Sequence, residues 1–259
     1  MSFVESLDKS INNASKILTT TIFDGEMYII ANNIRQVIRP IAISILGLCF
    51  VIEFLKVLIN ADILKWETGV KIGAKLTLTY VALDISSLLM EAIYATGNDL
   101  ITNVAKTTSN VSSLVNANLR ASLERLNVVE VFAVLASVGV AFIIVWLSGI
   151  VILVVAFART IELLLHIAVA PIPCAFLILE SHRGSSIVWK FIMSFAAKCL
   201  QGFFIVLSIA LYNKLVRDVL DIYGTVDLAS IAGNLVLGAV ILVVCVVKSG
   251  TLAKQILDA

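Results

Sequence analysis

The chain has 259 residues, 60% of them hydrophobic and 14% charged, with a mean hydropathy of +1.03 and a formal net charge of +1. That balance lies outside the range of a water-soluble domain and marks a polytopic membrane protein. The small net charge excludes bulk electrostatic attraction to nucleic acid or anionic lipid, which needs a basic excess or a clustered basic stripe.

Residues 1–36 mix polar and apolar side chains and carry Glu5, Asp8, Lys9, Lys16, Asp24, Glu26 and Arg35. They lack the compact apolar stretch of a secretory signal and are expected to be retained. Phe3, Leu7, Ile11, Ala14 and Leu18 recur at spacings of three and four. The spacing predicts an amphipathic helix, lying on the membrane surface or on a partner.

Six spans follow. The first runs from Ile41 to Leu58, is entered through Pro40 as a first-turn proline, and contains Glu53. The second, Ile72 to Tyr94, holds Lys75, Asp84 and Glu91; Gly69 and Gly73 before it form a small-residue spacing that lets two helices approach. Residues 95–130 are polar but nearly free of helix breakers, and Leu100, Val104, Val111, Val115, Leu119, Leu123 and Leu126 trace a stripe that predicts a long amphipathic connecting helix.

The third span is the 28-residue run from Val131 to Ala158, which has no charged side chain. As a helix it would measure about 42 Å, longer than a hydrocarbon core of about 30 Å. It is separated from the fourth, Ile161 to Leu179, by a tight turn at Arg159-Thr160, unless the third ends early near Ser148-Gly149. Pro171 and Pro173 interrupt the fourth span and predict a kink or an unwound half-helix. The fifth span is Ile187 to Tyr212 and the sixth Leu228 to Val247.

The fold class is therefore an all-α polytopic membrane protein of about six transmembrane helices, with an N-terminal amphipathic helix and a long amphipathic connecting helix. The expected divisions are an arm (1–36), two spans (37–94), the connection (95–130), a core of four spans (131–247) and a short tail (248–259). Lysine and arginine counts leave orientation open: the total favours internal termini, whereas the packing of basic residues into the short connections favours the reverse.

Ionisable side chains inside spans should face protein or water, because a charge at the bilayer centre costs at least about 2.5 kcal/mol. Tyr80, Asp84, Ser87 and Glu91 form one acidic helix face; Lys190, Ser194, Lys198 and Gln201 form a basic one; Arg159, Glu162 and His166 form a third stripe. These stripes either pair with one another as ion pairs between packed helices, or line a hydrated path or subunit interface. Glu162 and His166, one turn apart, suit a mutual hydrogen bond better than a metal site, and His182 reads as a loop residue.

Cys49, Cys174, Cys199 and Cys245 all fall in apolar segments, without a C-x-x-C pair, and read as reduced, buried fillers. No phosphate loop, nucleophile elbow or H-E-x-x-H motif is present, so no enzyme, metal or cofactor is expected. Nucleotide hydrolysis, where needed, would come from a partner.

The stretch Arg159-Thr-Ile-Glu162-Leu-Leu-Leu-His166-Ile-Ala-Val-Ala-Pro171-Ile-Pro173, followed by Ala196-Ala-Lys198-Cys-Leu-Gln201-Gly202, resembles the TrbL-like family of polytopic membrane subunits of conjugative type IV secretion systems. The resemblance covers Val131 to Tyr212. It implies a homo-oligomeric channel or scaffold subunit in the cell membrane, working beside other secretion-system membrane subunits and cytoplasmic ATPases to pass single-stranded DNA or protein. Some members have five spans and an external N-terminus, which by analogy would put residues 95–130 outside the cytoplasm. A small-solute secondary transporter or ion channel, with a midplane site at the broken fourth helix, is the alternative; no second broken helix or internal repeat supports it.

Overall fold

The computed structural model describes residues 3–20, 22–59, 66–107, 128–179, 182–223 and 228–258. Among them the chain is helical: α1 (Phe3–Thr19), α2 (Glu26–Ile59), α3 (Trp66–Thr107), α4 (Val128–Val169), α5 (Pro171–Ala175), α6 (His182–Tyr223) and α7 (Leu228–Leu257), with 3-10 turns at Ile22–Asp24 and Phe176–Ile178. Five segments are long and apolar enough to cross a membrane: Glu26–Ile59, Gly69–Lys106, Ile143–Ile178, Ser185–Leu215 and Val236–Leu257.

The class agrees with the reading of the sequence, and the count differs for a physical reason. The third and fourth expected spans are one continuous helix, α4, and Arg159-Thr160 is not a turn. Neither residue breaks a helix, and a single cation is no stop signal where its side chain is covered by protein; Arg159 is 2% exposed. The break comes at the prolines instead. α4 ends at Val169, α5 begins at Pro171, and after the 3-10 turn Leu179 is extended, with φ −65° and ψ 123°. Pro40, by contrast, lies inside α2 and not in its first turn, because that helix starts at Glu26. Most of the connection expected over 95–130 lies outside the described residues; 95–107 continue α3 and 128–130 begin α4. His182 opens α6 and is not in a loop.

The chain divides into two compact units, one of Met1–Thr20, Gly97–Thr160 and Leu200–Ala253, the other of Thr21–Thr96, Ile161–Cys199 and Lys254–Ala259. In the first unit Ile11, Ala14 and Leu18 of α1 are buried with Ile101 of α3, Ile152 of α4, Ile205 of α6 and Leu242 of α7. Ile11, Ala14 and Leu18 of the α1 stripe are thus covered by the chain itself, where the spacing alone leads to the expectation of a membrane surface or a partner.

Two apolar clusters organise the second unit. One joins Ala31, Met90, Tyr94, Leu163, Ile167 and Phe195. Tyr94 fixes the approach to α2: its hydroxyl accepts the Ile22 amide at 3.4 Å, and its ring meets Phe23 edge-on at 5.1 Å. The other cluster joins Ala42, Leu46 and Cys49 of α2 and Leu83 of α3 to Cys174, Ala175 and Ile178. The interrupted segment therefore packs onto α2 and α3. Outward-facing Val37, Leu48, Leu78, Leu88 and Trp189 leave an apolar surface, as a lipid solvent requires. Cys49, Cys174 and Cys199 are buried, but Cys245 is exposed on α7, against expectation. It lies on the outward side of a helix whose inward side is set by Leu242, Val246 and Ser249.

Candidate functional site

In the second unit two helix faces with polar residues one turn apart meet. Glu162 and His166 project from α4, and Ser194 and Lys198 from α6. The Lys198 ammonium pairs with the Glu162 carboxylate, with the lysine side chain 15% exposed. His166 Nδ1 lies 2.7 Å from the Glu162 carbonyl oxygen, so that nitrogen carries the proton and donates. Nε2 faces the Ser194 hydroxyl at 3.4 Å. Phe191 stacks on the imidazole at a centroid distance of 5.5 Å and excludes water from one side. The pairing of this stripe with the basic face is the arrangement in which each helix supplies what the other lacks.

Asp84 does not join it. Its carboxylate accepts from the Arg39 guanidinium of α2 at 2.5 Å, both side chains being nearly half exposed. Of the acidic face of α3, Asp84 therefore meets α2 and not α6, while Tyr80 is exposed. Glu91 and Lys190 are exposed and form no ion pair among the described residues. Deeper along α2, Glu53 is 2% exposed and pairs with Lys56 one turn on, at 2.9 Å. Beside the Arg39–Asp84 pair a cleft of about 500 Å³ is lined by Arg35, Gln36, Arg39, Leu83, Asp84 and Pro171.

The first unit holds a separate buried polar group. Arg159 of α4 lies against Gly202 of α6, where an added Cβ would stand 2.6 Å from its Nε. Gln201, 8% exposed, lies over Gly250 of α7, at 3.2 Å from where that residue's Cβ would be. The side-chain oxygens of Asn98, Gln201 and Asn213 are buried and find no hydrogen-bond donor among the described residues. Polar atoms held this way are costly in a dry interior and inexpensive when water or a passing polar group reaches them. The stripe Arg159–Glu162–His166 is thus split, Arg159 serving the first unit and the other two the second. Among the described residues no three His, Cys, Asp or Glu side chains converge on a metal-sized site.

A chain of long apolar helices with ionised groups turned toward each other is what a membrane subunit of a larger machine needs, and comparison with known proteins names the machine. The family model described as TrbL/VirB6 plasmid conjugal transfer like protein matches residues 8–171. The chain belongs to that family. It is a multi-pass bacterial membrane protein of the conjugal transfer kind. No curated relative and no solved structure matches it. The family match includes α1 from Asp8 onward, the first three spanning segments up to Pro171, and the Arg159–His166 stripe; it ends before Pro173 and the Ala196–Gly202 step.

In this TrbL/VirB6-like chain, Arg35, Gln36 and Arg39 were the polar residues that sequence reasoning passed over as site candidates. With the first span starting at Ile41, all three fell outside it, Arg35 and Gln36 in the arm and Arg39 just before the span. The signal was present: positions 35, 36 and 39 share a helix face, and Ile34, Val37 and Ile38 continue the apolar pattern of the span backward past Pro40.

Proposed function

We propose that this chain is a membrane channel or scaffold subunit of a conjugative type IV secretion apparatus, acting as an oligomer to help pass single-stranded DNA–protein substrates across the cell membrane. It performs no chemistry itself; cytoplasmic ATPases supply the energy, and other secretion-system membrane subunits complete the path. The observation that carries this reading is the family match over 164 residues, from Asp8 in α1 through Pro171. The buried polar groups support it. Lys198 of α6 is matched by Glu162 of α4, and Arg159 and Gln201 are buried by protein, which is how a spanning subunit tolerates such groups. A subunit with a net charge of +1 suits a conduit, because a strongly basic lining would retain a polyanion.

The test is transfer itself. Deletion of the gene abolishes conjugation and a plasmid copy restores it; transfer at the parental frequency without the gene overturns the reading. A photocrosslinking amino acid at position 198 or 201 separates conduit from scaffold, since only a conduit is captured on DNA in transit.

A further inference from the structure

The cleft in the second unit has an unusual composition for a membrane segment. Arg35 and Arg39 lie one turn apart on α2 with Gln36 between them, and the acidic side chain in the lining is Asp84. Asp84 is already matched by Arg39. Arg35 commits its Nε to the Asn32 side-chain oxygen Oδ1 at 3.1 Å, which leaves its terminal nitrogens, and one positive charge, in surplus. Two guanidinium forks and a carboxamide aimed into about 500 Å³ form a donor set suited to a phosphate or carboxylate.

The surroundings distinguish between sources of that anion. Ile41 and Leu48 on α2, past Arg39 toward Ile59, and Leu78 and Val81 on α3, before Asp84, are among the exposed large hydrophobics. A small soluble anion gains nothing from such a rim, whereas acyl chains do. Depth agrees: Arg39 stands twenty residues before the end of α2 at Ile59. At about 1.5 Å per residue that is about 30 Å, one hydrocarbon thickness, so a helix that ends at one boundary places Arg39 at the head-group level of the other.

We propose that this cleft binds the phosphodiester head group of an anionic membrane phospholipid, with Arg35 as its principal contact and the acyl chains lying along Ile41 and Leu48. One phosphodiester charge cancels the surplus of one. Arg39, held by Asp84, shapes the cleft, and Leu83 and Pro171 close its apolar side. The inference rests on the membrane-spanning character of α2 and α3 and is independent of what the apparatus transports.

Native mass spectrometry of the purified full-length chain, released from nanodiscs of equal parts phosphatidylglycerol and phosphatidylcholine, reads the site directly. Phosphatidylglycerol is retained over phosphatidylcholine by about fivefold, the attraction expected of one arginine at a head group. Arg35→Gln brings the two to parity, Arg35→Lys restores most of the preference, and Lys254→Gln leaves it unchanged. Equal retention of the two lipids by the parent chain, or an unaltered preference in Arg35→Gln, overturns the proposal. So does displacement of the lipid by inorganic phosphate, which would assign the cleft to a free anion, or by a single-stranded oligonucleotide, which would assign it to a nucleic-acid backbone.

Discussion

Gly202 of α6 sits beneath the guanidinium of Arg159 of α4, and a side chain larger than hydrogen at 202 would occupy the space that the arginine fills. A glycine inside a helix costs about 1 kcal/mol against alanine, so its presence here trades local helix stability for room. The arginine in turn can stay ionised in an apolar segment because protein, and not lipid, surrounds it.

Gly202→Ala should therefore destabilise the fold by roughly 1–3 kcal/mol through overpacking, read as a lower unfolding temperature in detergent. In an Arg159→Ala background the same substitution should be neutral or stabilising, since the obstruction is gone. Gly47→Ala is the control, because a Cβ there meets nothing within 4 Å. Equal losses at 202 and 47 would refute the steric account.

Lys198→Leu should lower transfer frequency by tenfold or more relative to Lys254→Leu, on the order expected when an interhelical carboxylate loses its partner. Lys198 pairs with Glu162, whereas Lys254 is exposed in the last turn of α7. The exchange Glu162→Lys with Lys198→Glu should recover part of the loss. Mating assays on the three strains decide it, and indistinguishable frequencies for the two single variants would remove the ion pair from the mechanism.

Replacing Pro171 with alanine returns an amide to the chain and lets α4 run on toward Phe176. The segment that packs against Ala42, Leu46 and Leu83 would then swing away from that cluster. Hydrogen exchange should show residues 171–175 gaining helical protection while the α2 residues opposite lose it. An unchanged exchange pattern would mean that tertiary packing, and not the proline, sets the break.

Cysteine accessibility checks which side of α7 looks outward. Cys245 is exposed, while Cys49, Cys174 and Cys199 are buried. A membrane-permeant maleimide should label Cys245 first in the native chain, and Cys245→Ser should remove the fast phase. Fast labelling that survives this substitution would contradict the packing of the second unit, which holds the other three.

The helical class was legible because uncharged runs of twenty or more residues leave the backbone no other way to satisfy itself in lipid. That Lys198 could meet a carboxylate on another helix was legible as one of two readings, but four-residue spacing left Glu162 and Asp84 equally eligible and did not choose between them. The partner of Asp84 was not legible. Recognising Arg39 required knowing that α2 begins at Glu26, and an internal Pro40 disguised that start as a boundary. Nor did Arg159 reveal that it lies mid-helix, because what makes it tolerable is Gly202, forty-three positions further along the chain. The covering of α1 by Ile101, Ile152 and Leu242 is likewise a long-range fact that its own periodicity does not contain.

Helix α4 has 42 residues, about 63 Å of rod, and between Val131 and Ala158 it bears no charge at all. The uncharged part alone, about 42 Å, outreaches one hydrocarbon layer of about 30 Å when upright and matches it at a tilt of about 40°, the steep end of what spanning helices adopt. A rod so long and so oily is therefore expected to lean, and the angle of that lean sets how much of it the acyl chains clothe.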